Sequence, residues 1–203
     1  MVVIADSDCI RKLAYCSFLS EFLQIVEVPP NDIWVLPDVA FQLRRKLSSS
    51  SDALADFEKF FKKTKQIPKA SLNMLARFES LDSGEQQIFA LLCEVERVNL
   101  VATGDKAAMR LVASLIHKDP SLGKLMETST IWCFESVILR LIEKQGFSIT
   151  NARIKRWKER DSASMDMSMR LIFTDESTAD SVKAELKARI HTLRASCIGV
   201  PIQ

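Results

Sequence analysis

The chain has 203 residues, 47% of them hydrophobic and 27% charged, with 28 Lys and Arg against 26 Asp and Glu. That composition excludes a disordered chain and suits a domain of ordinary size with its own core. A net charge of +2 gives no overall attraction for nucleic acid, so any basic binding face must be local.

Val2 to Ala5 is a short apolar run that ends abruptly at Asp6-Ser7-Asp8, the pattern of a buried strand in a mainly parallel sheet. Apolar residues at helical spacing then run from Ile10 to Leu23, which opens a βα unit. Ile33 to Leu36 reads as a second strand, and Pro37 suits a first helical turn ahead of a helix to Leu47. After the serine run 48–51, Asp52 is expected to cap a helix from Ala53 to Lys63. A further helix is expected between Pro68 and Phe78. Asp82-Ser83-Gly84-Glu85 opens a strong helix to about Arg97, Asn99 to Thr103 is a strand, and Gly104-Asp105 turns into a helix from Lys106 to Ile116. Asp119-Pro120-Ser121 signals a loop. Thr130 to Phe134 is the last strand, and the helix after it ends at Gln145-Gly146, where Gly suits the position past the helix end. The alternation predicts an α/β domain over residues 1–147 and a helical C-terminal extension over 148–203.

Met1 to Asp6 carries no basic segment ahead of its short apolar stretch, and no apolar run approaches the ~20 residues of a bilayer span. Cys9, Cys16, Cys93, Cys133 and Cys197 form no Cys-x-x-Cys pair. A cytoplasmic protein without disulfides, zinc or membrane attachment is therefore expected.

Asp6 ends one strand and Asp105 follows another. Strand C-termini of a parallel sheet share one edge, where ligands bind. Glu85, in the first turn of its helix, can reach the same edge. Three carboxylates there repel one another unless a hard divalent cation such as Mg²⁺ or Mn²⁺ neutralises them. Each has a plainer reading as well. Asp6 suits a helix N-cap, Asp105 complements a helix dipole, and Asp82 with Glu85 has the spacing of a capping box.

Three segments in order carry a resemblance: Val3-Ile4-Ala5-Asp6-Ser7-Asp8, Leu81-Asp82-Ser83-Gly84-Glu85 with the helix after it, and Leu100-Val101-Ala102-Thr103-Gly104-Asp105. Together they resemble the PIN-domain family over residues 1–147. The resemblance implies a central parallel sheet flanked by helices and Mg²⁺- or Mn²⁺-dependent hydrolysis of RNA phosphodiesters. Asp6, Glu85 and Asp105 would be catalytic metal ligands, and Ser7 and Thr103 would support them. Many members are toxins held by a cognate antitoxin protein, and small members often form homodimers. The family's further acid, in a pattern like Pro-x-Val-x-x-Glu-Leu, is replaced here by Gln42, with Asp38 one turn earlier. Gln42 offers a neutral oxygen, which implies weaker metal binding or one ion in place of two.

Two basic clusters are candidate RNA contacts. One contains Arg44 and Arg45. The other runs from Arg153 to Arg160 through Lys155, Arg156 and Trp157, whose ring can either stack on a base or pack on the body. Two other functions suit the same residues. Asp6-x-Asp8 and Gly104-Asp105 also suit a haloacid-dehalogenase-type phosphatase, although the second acid expected after Asp105 is missing. A degenerate, non-catalytic PIN fold binding RNA or a protein is suited by Gln42 and the C-terminal extension.

Overall fold

Val2–Ala5 (β1) is wholly buried and rich in β-branched residues, and it forms the middle of the sheet in the computed structural model. Ile33–Val35 (β2) and Lys65–Gln66 (β3) lie outward on one side, Val98–Thr103 (β4) and Thr130–Cys133 (β5) on the other. All neighbours pair in parallel, in the order β3-β2-β1-β4-β5. The expected α/β fold is thus formed: a parallel sheet flanked by helices, with a helical C-terminal region. The structure describes residues 1–160, 162 and 165–203, without the side chain of Arg160. Arg160, which ends the basic run, therefore has its side chain outside the described residues.

Alternate strand residues feed two cores. Val3, Ala5, Ile33, Val35, Leu100 and Ala102 face one. Val2, Ile4, Trp34, Val101 and Ile131 face the other. Where β1 meets β4 the register shifts between Val2 and Val3, and one extra residue on β4 puts Val98 and Leu100 on opposite faces.

The first face is covered by Ser7–Tyr15 (α1), Leu19–Ile25 (α2), Val39–Lys46 (α3) and Ser51–Phe61 (α4). The second is covered by Leu72–Ala76 (α5), Ser83–Glu94 (α6), Lys106–Lys118 (α7) and Pro120–Leu125 (α8). Phe134–Gln145 (α9), Phe147–Arg160 (α10), Met167–Ile172 (α11) and Ala179–Ser196 (α12) complete the chain. Residues beyond 148 supply buried side chains to both cores. Trp157, Met169, Ile172, Val182 and Leu186 enter the first, and Ile190, Leu193 and Ile202 the second. Ile202 pairs in parallel with Ile131, so the chain end covers the exposed edge of β5. Among the described residues no helix is long and apolar enough to cross a membrane.

The elements differ from the sequence reading in several places. The helix expected from Ile10 to Leu23 breaks in two. Ser17 takes a left-handed conformation (φ 55°), its N–H donates to the Ala14 carbonyl, and the Phe18 N–H donates to that of Leu13 at 2.8 Å. This is a Schellman end, with Phe18 and Leu13 both buried to hold it. Pro37 precedes α3 instead of opening it, and Ser50, not Asp52, stands at the N-cap of α4. Asp119 caps α8 by accepting the Ser121 N–H at 3.2 Å, so a helix forms where a loop is signalled. Gly146 ends α9 at φ 92°, as expected.

Candidate active site

The strand order reverses between β1 and β4, because the chain builds outward through β2 and β3 before returning to the other side of β1. A crevice opens beyond the strand ends at such a point. Asp6 leaves β1 there, with its N–H on the Ala102 carbonyl at 2.9 Å. Asp105 leaves β4 two residues after Thr103, which lies beside the end of β1. The N-terminus of α6 brings Glu85 to the same place. Asp6, Ser7, Asp8, Asp38, Gln42, Asp82, Glu85 and Asp105 all line one cleft of about 460 Å³.

Thr103 ties the two strand ends together. Its Oγ1 donates to Asp6 Oδ2 at 3.2 Å and accepts the Asp105 N–H at 3.1 Å. Ser7 Oγ reaches Asp6 Oδ1 at 3.4 Å. Protein atoms crowd Asp6, and this desolvation, with the Asp8 charge second, raises its carboxyl to about 6 against the hydrogen bonds that oppose it. Desolvation also raises Glu85 to about 7, and the charges of Asp82, Asp105 and Asp6 add to it. Glu85 therefore feels the charges of both other acids.

Each acid is also engaged locally. Asp82 and Glu85 form the full capping box: the Glu85 N–H donates to Asp82 Oδ1 at 2.8 Å, and the Asp82 N–H donates to Glu85 Oε2 at 3.1 Å. Asp105 Oδ1 accepts the N–H groups of Ala107 and Ala108 at 2.8 and 2.9 Å. Among the described residues no three His, Cys, Asp or Glu side chains are grouped closely enough to hold one metal ion.

Asp8 belongs to a separate charge cluster. It pairs with Arg11 at 2.7 Å and with the buried Lys12, which also reaches Asp166 at 2.8 Å. Desolvation pushes the Asp8 carboxyl up, but Lys12 and Arg11 outweigh it and hold it below its ordinary value. Gly104 packs directly on this pair, since a Cβ there would collide with Asp8 Oδ2 and Lys12 Nζ. The i,i+4 spacing of Asp8 and Lys12 is a sequence signal for that pair. Asp166 leaves none, being 154 positions away.

The basic candidates do not converge on the cleft. Trp157 is fully buried, stacked on Tyr15 at 6.3 Å and edge-on to Phe134, so it has no face for a base. Arg153 is bound to Glu21 and the Ser17 carbonyl at the far end of α1. Lys155 pairs with Asp175 at 2.8 Å, Arg156 is exposed on α10, and Arg44 forks onto Glu58. Lys69, which no motif marks, lines the cleft instead. Asp38 lines it too, already in helical conformation at the N-cap of α3 and one turn from Gln42. No family model, no curated protein and no solved structure matches this chain.

Proposed function

We propose that the protein is a metal-dependent nuclease of the PIN type that hydrolyses RNA phosphodiester bonds at this cleft. The observation supporting it is that Asp6, Glu85 and Asp105, from three separate elements, line one crevice at the sheet's switch point, where the charges of Asp105 and Asp6 add to the rise at Glu85. The donor set is all carboxylate oxygen, which fits a hard divalent ion such as Mg²⁺ or Mn²⁺. Asp6, Glu85 and Asp105 would hold it, and Asp38 and Gln42 line the same cleft. A bound ion supplies charge neutralisation and an activated water.

The chain's own groups have definite tasks in that reading. Thr103 keeps Asp6 aimed while fixing the backbone of Asp105. Glu85 is raised to about 7 by burial and by the charges of Asp82, Asp105 and Asp6, and a bound cation would reverse that rise. Asp8 is tied down by Arg11 and Lys12 and kept ionised, so it is a poor general acid. That favours the nuclease over the phosphatase reading, which needs Asp8 to donate a proton.

The test is cleavage of labelled RNA with Mg²⁺ or Mn²⁺ by the wild type and Asp6→Asn. Loss of at least about 100-fold in the variant is expected, consistent with removing a metal ligand or a principal electrostatic group. Equal activity in the two, with no divalent ion bound by the wild type, rejects the proposal. A non-catalytic relative of the fold is favoured by one observation: Gln42 and the capped Glu85 leave the acids too dispersed for a ready-made ion site. Mn²⁺ titration followed by calorimetry separates the two, since the non-catalytic form binds none at the cleft.

A further inference from the structure

A second cavity, of about 650 Å³, lies between α9 and α12 and shares no residue with the acidic cleft. The two helices pack side by side, and each turns one stripe toward it at i, i+3, i+4 and i+7, from Ser136 to Glu143 on α9 and from Lys187 to Arg194 on α12. Leu139 and the buried Ile190 give it an apolar lining. Its charged side chains are Arg140, Lys187 and Arg194 against the single acid Glu143, an excess of two positive charges. None of these four makes an ion pair among the described residues. Both guanidiniums are nevertheless held in place. Arg140 stacks on the Trp132 ring at 4.1 Å and donates to Gln203 Oε1 at 3.3 Å. Arg194 donates through Nε to the Ile202 carbonyl at 2.8 Å, and its two terminal nitrogens have no protein partner among the described residues. The pairing of Ile202 with Ile131 fixes that carbonyl against the sheet. Two long cationic side chains are thus ordered before any anion arrives, which removes part of the cost of binding one.

We propose that this pocket binds a small organic dianion with an apolar body, its charged end on Arg140, Arg194 and Lys187 and its body on Leu139 and Ile190. Size decides for a small molecule over a peptide or a nucleic acid. Seven residues of helix rise only about 10 Å, and the cavity volume falls in the range of small-molecule sites. The two excess positive charges match a dianion, and a guanidinium fork takes phosphate or carboxylate oxygens in the same way. A phosphomonoester and a dicarboxylate therefore share the required chemistry. The pocket and the nuclease site are separate, so neither reading depends on the other.

The test is calorimetric titration of the full chain in metal-free buffer with phenyl phosphate, isophthalate, inorganic phosphate and phenol. At least one of the two organic dianions should bind. Phenol should not, and inorganic phosphate should bind more weakly because it has no body to bury. The two dianion arms decide between phosphate and carboxylate, and binding of either supports the pocket. Arg140→Gln should weaken that dianion about 10- to 100-fold, and Arg140→Lys should restore only part of the loss, since it lacks the fork. Lys187 is exposed and has no protein partner among the described residues, so Lys187→Gln tests the pocket without disturbing the fold. It should weaken binding about 2- to 5-fold, and Glu143→Gln should tighten it by about the same factor. Asp6→Asn should bind as the wild type does. The proposal is overturned if neither dianion binds, if phenol or inorganic phosphate binds as tightly as the organic dianion, or if Arg140→Gln and Lys187→Gln both bind unchanged. Loss of binding in Asp6→Asn would also overturn it, by placing the anion at the acidic cleft.

Discussion

Asp6 carries two properties that oppose each other. In the proposed reading it is a ligand of the cation, and it is a carboxylate the fold holds at a cost. Its folded value of about 6 lies above its ordinary 3.8. The native state therefore binds more protons between those values, so this group's contribution is fully present below pH ~4 and is lost as pH rises through about 6. The cost at pH 8 is on the order of 2 kcal/mol, given its partial exposure. Asp6→Asn should thus raise the urea midpoint at pH 8, leave it nearly unchanged at pH 4, and abolish cleavage. A lower midpoint at pH 8 would show that Asp6 is a structural cap instead. Mn²⁺ should remove the same penalty in the wild type and have no such effect on the variant. Gln42 allows the converse change. Gln42→Glu adds a further carboxylate to the cleft and should tighten Mn²⁺ binding by about tenfold, since site charge tunes affinity for hard cations. Calorimetric titration reads this directly, and unchanged affinity would place Gln42 outside the ion's reach.

At the scale of elements, the edge of the sheet is organised by ion pairs as much as by strands. Lys12 on α1 joins Asp8 of its own helix to Asp166 just before α11, beneath the Phe134 ring at 5.3 Å and against Gly104 of the β4–α7 turn. Removing Lys12 leaves two carboxylates facing each other in a partly buried place. Lys12→Met should cost about 2–3 kcal/mol in urea unfolding, less than a fully buried pair would lose because both acids keep some water contact. Adding Asp166→Asn should recover part of that loss, because it removes one of the stranded charges. An additive double variant would show that the two residues are not coupled. Lys106 and the buried Glu135 make a second such bridge, between the starts of α7 and α9. Both bridges fasten helix N-termini at the C-terminal edge of the sheet, and Asp8 of the first also lines the cleft.

The whole molecule depends on its C-terminal third. Trp157 is fully buried between Tyr15 of α1 and Phe134 of α9. Trp157→Ala should cost about 3–5 kcal/mol, the usual range for emptying a large aromatic site. RNA affinity of the fraction that remains folded should be unchanged. Anisotropy and urea unfolding on the same samples check both statements, and a loss of affinity without a loss of stability would restore Trp157 to the binding surface. α12 adds to the same dependence by supplying Val182 and Leu186 to one core and Ile190 and Leu193 to the other, around the β5 edge.

Much of this was legible in the linear chain, because local physics governed it. Short apolar runs marked β1 and β4, the turn residues before them marked the starts of α6 and α7, and the capping box at Asp82 and Glu85 is formed as its spacing indicated. What sequence could not supply were the features that need partners far along the chain. The two-residue strand β3 has no apolar pattern of its own and exists because β2 offers it an edge. Trp157 could stack on a base or pack on the body as read from sequence, and only Tyr15 and Phe134 placed against it decide for packing. Lys69 reads as an ordinary surface lysine until the strand order sets it beside the acids. Asp6, Glu85 and Asp105 were identifiable as residues from sequence alone. Their convergence was decided by the order β3-β2-β1-β4-β5, which places the ends of β1 and β4 side by side and opens the crevice between them.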